Sequence, residues 1–218
     1  MWSVCVILHK TDHMVNIFWS LKMKREEKNR LTRQRIMDSA VAEFAQRGYA
    51  AGSINTICSA EGISKGIIYH YFETKDELYL ACVEECFLKL TEFLQGKLSG
   101  EGSPQDKLES YFSARAAFFH DNPRYQAIFC EAVISPPANL AGAIEERKRP
   151  FDELNIGVLE SVLENMPLRD GVSMPEVVEL FRQYQDFINA TSRSQDFSQR
   201  DERCKKALDL ILYGVIKR

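Results

Sequence analysis

Residues Gly62-Ile63-Ser64-Lys65-Gly66 have the spacing G-x-S-x-G, in which a serine hydroxyl on a sharp strand-to-helix turn attacks an acyl carbon. The same stretch continues into Ile67-Ile68-Tyr69-His70-Tyr71-Phe72, with Lys75 just beyond. Those cations, hydroxyls and ring edges suit phosphate and base contacts in a DNA groove. The first chemistry needs a β-strand ahead of Ser64 and an acid and base to serve it. The second needs a short helix presented end-on by another short helix. The flanking elements decide between them.

Ahead of the glycines, "SINTICSAE" reads as a helix. Ser53 suits the N-cap, and Ile54, Ile57, Cys58 and Ala60 share one face. Gly62 stops it after about two turns. Ser64 then caps a further helix in which Ile68 and Phe72, four apart, point inward. Lys65, Tyr69 and His70 lie on its other faces, and of the two tyrosines Tyr69 is the one expected outside. Upstream, Ile36, Ala40, Val41 and Phe44 recur at helical spacing from Thr32, opposite Arg33, Arg35, Asp38, Glu43 and Arg47, until Gly48 ends the run. Downstream, Thr74 with Glu77 forms a capping box for a helix that continues to Gln95 without an internal Gly or Pro.

With a capped helix in place of the strand, and no Asp and His in triad order, the nucleophile elbow has nothing to stand on. Ser64 is read as a helix cap. Two short helices around a glycine-containing turn instead make a helix-turn-helix, with Lys65 and Gly66 at the end that enters the major groove. After "SGEGSP" come long amphipathic segments at about 104–121, 123–134, 138–165, 174–192 and 201–217, parted by Asp121-Asn122-Pro123, Pro136-Pro137 and two polar loops. No segment alternates as a strand would. The fold class is all-α, with an N-terminal three-helix unit and a larger C-terminal helical domain.

The net charge of −3 is unevenly spread: +1 over residues 1–23, +3 over 24–75 and −7 over 76–218. A basic segment on an acidic body is expected where only that segment meets a polyanion. Arg25, Lys28, Arg30 and Arg33 are either a phosphate-binding arm or a solvated face. Six cysteines without C-x-x-C spacing read as reduced thiols in a cytoplasmic protein, and Cys82 and Cys86 as small buried hydrophobes rather than a switch or half a metal site. Nothing in the pattern calls for a cofactor, a metal or a membrane span. In residues 1–22 the apolar run Val4–Leu8 is too short to cross a bilayer, and Met23 resembles a protein start. That segment is expected to be an extension or tail, which sets domains at 23–76 and 77–218.

The stretch "TRQRIMDSAVAEFAQRGYAAGSINTICSAEGISKGIIYHYFETKDELYLA", residues 32–81, resembles the N-terminal domain of the TetR/AcrR family of bacterial transcriptional regulators. The resemblance implies a homodimer, usually repressing, with three DNA-binding helices and a larger domain for a small-molecule effector. It also implies a DNA-facing set, carried over by motif position: Ser53, Asn55, Lys65, Gly66, Ile67, Tyr69, His70, Tyr71 and Lys75, to which Arg33 of the basic run and Ser64 at the start of the same helix are added as expected DNA contacts. Thr is frequent in the family where this chain has Ile67, and also where it has Gly52. Ile67 offers only apolar contact, such as with a thymine methyl group, so a relative's operator cannot be assumed.

The C-terminal aromatics supply an ordinary core, and some are expected to line an effector cavity: Phe112, Phe119, Tyr125 and Phe129, with Glu131 as polar partner. The last two long helices carry more apolar surface than one domain needs. Val177, Phe181, Tyr184 and Ile188, then Leu208, Ile211, Leu212 and Val215, are therefore expected at a two-fold dimer interface. The rivals to a ligand-responsive regulator are a helical enzyme or carrier, which no paired carboxylates, metal-ligand cluster or phosphate loop supports, and a DNA-binding dimer with no effector.

Overall fold

The computed structural model describes residues 3–98, 102–164 and 166–191, together with positions 202, 206, 210 and 214. The elements are α1 (Ser3–Ala51), α2 (Ile54–Glu61), α3 (Lys65–Tyr71), α4 (Lys75–Lys97), α5 (Pro104–Asp121), α6 (Pro123–Ile134), α7 (Ala141–Leu163) and α8 (Met174–Thr191). No β-strand occurs among the described residues, and the all-α expectation holds. The backbone of α1 is helical from Ser3, upstream of the boundary at Met23, and its side chains are described from Arg25 onward. The segment 201–217 lies outside the described residues apart from four isolated positions.

Local chemistry accounts for most boundaries. Gly48 breaks α1 with φ 72° and ψ 171°, a conformation that a side chain with a Cβ resists. Gly62 closes α2 in the left-handed region. Thr74 accepts a hydrogen bond from the Glu77 N–H at 3.0 Å, while the Glu77 carboxylate accepts from the N–H of Glu73 rather than that of Thr74. A full capping box does form at Ser103 and Asp106, where an aspartate replaces the Glu or Gln usual at that position. Pro104 and Pro123 sit in the first turns of α5 and α6, where their missing N–H costs nothing. Pro150 interrupts the ladder inside α7 on its exposed side.

Helix α4 is the hub, packed against α1, α5, α6 and α7, while α8 lies on α6 and α7. A single apolar core runs from Ile36 and Phe44 through Leu78, Tyr79 and Val83 to Phe129 and Leu159, so it is continuous across the expected boundary at 76/77. Cys82 and Cys86 are wholly buried in it, and burial pushes both thiols well above their ordinary range. Protonated and inaccessible, they should resist alkylation. Brief treatment of native protein with iodoacetamide, followed by mass spectrometry, should leave both unmodified, and rapid labelling of either would show the helix opening there.

Candidate nucleic-acid interface

The three-helix unit is held by two carboxylates that helical spacing does not single out. Glu43, expected on the solvent side of α1, is instead only 5% exposed, because its Oε1 accepts the N–H of Ser53 at 2.9 Å and fixes the start of α2. Glu61 closes the other end. Its carboxylate takes hydrogen bonds from Arg35 Nε, at 2.9 Å, and from the Ser39 hydroxyl. Two anchors on α1 thus set the direction of α2, and α2 with its glycine turn sets that of α3. Periodicity could not show this, since Glu43 recurs as a surface residue would.

Helix α3 is pinned by Ile68, at 0% exposure, and followed by Phe72, at 2%, as their spacing requires. Everything ahead of and around that seam faces outward: Ser64, Lys65, Gly66, Ile67, Tyr69 and His70 are all exposed. Tyr69 is 47% exposed, whereas Tyr71 is half-buried and its hydroxyl donates to Asn29 Oδ1 at 3.3 Å. Ser53 and Ser64 occupy N-cap positions, but neither side chain makes a capping hydrogen bond. Asn55 is exposed on the first turn of α2. Arg33 is exposed with its guanidinium 5.1 Å from the centre of the Phe72 ring. Lys75 is more constrained: its ammonium donates to the Ala50 carbonyl at 3.2 Å and lies 4.8 Å from the centre of the Tyr49 ring. In the basic run before α1's core, Arg30 pairs with Glu27, and the two lie exposed.

Gly52 follows from its surroundings. A Cβ there would come within 2.6 Å of the Phe44 ring and 2.9 Å of the Gly48 carbonyl oxygen. The threonine common in the family at this position cannot fit beside Phe44 as it stands here.

The C-terminal expectations need correcting. Phe119 and Phe129 are packed in the core. Their ring centres lie 5.0 Å apart, with Phe87 and Phe151 also around Phe129, and both are 1% exposed. Phe112, at 8%, is likewise core, edge-on to Tyr111. Tyr125 is half-buried with its hydroxyl held by Glu85 and Lys89. Burial would raise the Glu85 carboxyl, but hydrogen bonds from Lys89 and Tyr125 outweigh it and hold it below its ordinary value. Glu131 is engaged within the protein. Its carboxylate accepts the N–H of Tyr49 at 2.9 and 3.1 Å and the hydroxyl of Tyr79 at 3.0 Å, bridging α6 to the end of α1 and to α4. Burial and the Glu131 carboxylate together push the Tyr79 hydroxyl up.

On α8, Val177 and Phe181 are 1% and 8% exposed, buried within this chain, so they belong to its own core rather than to a partner-facing surface. The side chains of Tyr184 and Ile188, and Leu208, Ile211, Leu212 and Val215 altogether, lie outside the described residues. Among the described residues of this region, the large apolar side chains left exposed are Leu180, at 46%, and Leu210, at 71%.

A cavity of about 520 Å³ does exist, between α4, α5 and α7. Leu98, Pro150, Leu154 and Val158 form its apolar walls, and Thr91, Lys107 and Ser161 its polar points. Sequence periodicity could not find it, because a wall residue and a core residue share the same spacing. Among the described residues no group of His, Cys, Asp and Glu could hold a metal ion, and no helix is long and apolar enough to cross a membrane.

Comparison with known proteins agrees with this arrangement. The profile of "Bacterial regulatory proteins, tetR family" matches residues 36–82. The chain is 31% identical over 102 residues to the "Probable acrEF/envCD operon repressor" of Escherichia coli (strain K12), covering 44% of each chain. It is 28% identical over 120 residues to the "HTH-type transcriptional activator FasR" of Mycolicibacterium smegmatis, covering 53% of this chain and 52% of that one. The chain therefore spans about half the length of these curated relatives. The same fold is seen in FadR from Bacillus subtilis, solved in complex with stearoyl-CoA. The TM-score is 0.66 at 17% identity, over 84% of this chain and 98% of that one. It is the helix-turn-helix unit, from within α1 to the first turns of α4, that matches the tetR family.

Proposed function

We propose that this protein is a DNA-binding transcriptional regulator, acting as a homodimer on a palindromic operator, as a repressor that a small molecule releases. Residues 23–76 form the DNA-binding unit and 77–218 the effector-binding and dimerisation unit. The observation that carries the reading is the outer face of α3, where Lys65, Ile67, Tyr69 and His70 stand exposed at the free N-terminal side of a helix whose inner face is locked. Arg33, Asn55 and the uncapped hydroxyls of Ser53 and Ser64 flank it as phosphate-positioning groups. The exposure of Leu180 and of Leu210 supports association through α8 and the residues after it. The relative named a repressor supports the sign. The complex of FadR with stearoyl-CoA supports an effector in the C-terminal domain.

Purified protein should bind a palindrome upstream of its own or a neighbouring gene, with half-site centres roughly 10–17 bp apart to suit two recognition helices in successive grooves. Lys65→Ala should alter preference among operator variants by about 1–3 kcal/mol, the discrimination that pairing with one base edge supplies, without changing the melting temperature. Binding that survives scrambling of the palindrome would remove sequence-specific recognition.

A further inference from the structure

Lys75 stands where the three-helix unit meets the rest of the protein. Its ammonium donates to the Ala50 carbonyl at 3.2 Å, three residues ahead of Ser53. It therefore lies beside the start of α2, where the Ser53 side chain makes no capping bond and Asn55 is exposed. A cation, a hydroxyl and the first N–H groups of a helix together suit a DNA phosphate. The bond to Ala50 is one of three that an ammonium can donate, which leaves others for that phosphate.

The ammonium is also held by the Tyr49 ring, whose centre is 4.8 Å away. The negative face of the ring attracts the cation, so the placing of the ring sets the placing of the charge. Tyr49 is in turn tied at both ends. Its backbone N–H donates to Glu131, and its hydroxyl donates to Asp76 Oδ1 at 2.6 Å. A further tie comes from outside the three-helix unit. Asn139 Nδ2 donates to the Tyr49 hydroxyl at 3.3 Å and to Asp76 Oδ2 at 3.2 Å. Both oxygens of Asp76 are then engaged within the protein, and its charge is not free to swing towards a phosphate beside Lys75.

The backbone around Asn139 is set by the C-terminal helices. Asn139 falls in the connection 135–140 between α6 and α7, after Pro136 and Pro137, whose rings fix φ. The next residue, Leu140, is 6% exposed, and its N–H donates to the Pro137 carbonyl at 2.8 Å. Asn139 itself is exposed, so water could satisfy its amide equally well. Its bonds to Tyr49 and Asp76 fix those two groups more than they stabilise the fold.

We propose that Asn139 is a positioning residue for DNA binding: from the loop between α6 and α7 it fixes the Tyr49 ring and, through it, the Lys75 ammonium that meets the DNA backbone. The placing of Lys75 stands on the contacts within the chain, and its meeting with DNA rests on the regulatory reading.

Two measurements on the full chain separate these parts. Without DNA, brief acetylation with N-hydroxysuccinimidyl acetate and mass spectrometry compares Lys75 with the exposed Lys65 of the same molecules. Asn139→Ala, and likewise Tyr49→Phe, which keeps the ring, should raise the ratio of Lys75 to Lys65 labelling several-fold. General loosening of the fold would raise both lysines together. With the operator palindrome, Asn139→Ala should weaken binding roughly threefold to tenfold, the range that one neutral hydrogen bond commands. It should have no further effect beside Lys75→Met, which by itself should flatten the dependence of log K on log salt by about 0.9. An unchanged labelling ratio, or a weakening that persists in full beside Lys75→Met, overturns the positioning role. If the ratio rises but Lys75→Met keeps the salt dependence of the unmodified chain, Asn139 still positions Lys75 and the phosphate contact falls. An unmodified chain that binds no palindrome overturns the regulatory reading, and the labelling ratio still decides what Asn139 does to Lys75.

Discussion

Phe129→Ala should cost about 3–5 kcal/mol of folding stability, read as a lowered midpoint of denaturant unfolding, while leaving binding in the α4–α5–α7 slot essentially unchanged in whatever fraction stays folded. Phe129 lies at the centre of the aromatic cluster. Phe119 is 5.0 Å away, Phe87 5.5 Å and Phe151 5.8 Å, and the Arg115 guanidinium is 5.3 Å from its ring centre. Removing the ring takes away the apolar burial and leaves a void that rings on three helices cannot close by small shifts. A residue lining an effector site would behave in the opposite manner, with modest loss of stability and a large loss of ligand affinity. A destabilisation below about 1 kcal/mol with a strong ligand defect would restore Phe129 to the effector site.

Glu131→Ala should destabilise the protein by about 1–3 kcal/mol and weaken operator binding, although Glu131 is remote from the exposed face of α3. One carboxylate joins three elements: it holds the Tyr49 N–H just beyond the break in α1 and the Tyr79 hydroxyl on α4. Gly48 is needed twice for this. Its φ of 72° makes the turn, and a Cβ there would come within 2.9 Å of Glu131 Oε1. Around the same turn the Tyr49 hydroxyl donates to Asp76 at 2.6 Å, and Asn139 donates to both. Without the carboxylate, the Tyr79 hydroxyl is left buried and unpaired, and the end of α1 loses its tie to the C-terminal domain. A cycle with Tyr79→Phe should return a coupling of about 0.5–3 kcal/mol. Simple additivity of the two substitutions would mean that the bridge contributes no coupling. Unchanged operator affinity in a destabilised Glu131→Ala would confine its role to packing.

On the proposed regulatory reading, the bridge is where a bound effector is expected to act on the DNA-binding unit. Thr91 and Leu98 lie at the last turns of α4, and Tyr79 in its first turns. With no glycine or proline from Tyr79 to Thr91, α4 is expected to carry a shift at one end to the other as a rod, towards the Glu131 hydrogen bonds that tie it to the end of α1.

The sequence by itself determined what short-range forces control. Gly48 and Gly62 stop their helices because of backbone conformations that few other residues adopt, and Pro104 and Pro123 start theirs because φ is already set. Ile68 and Phe72 had to turn inward together, which left Tyr69 outside, because a helix returns to the same face every three to four residues. The exposed face of α3 was legible for that reason, since it lies within one short helix. Tertiary structure alone decided the rest. Glu43 and Glu131 carry no local mark of burial, and their partners lie 10, 52 and 82 residues away. Phe129 and Leu154 are equally apolar at equally helical spacing, yet one fills a core and the other faces a slot. Periodicity records only that a side chain leaves water. Whether it meets another side chain or an opening depends on how helices distant in sequence pack.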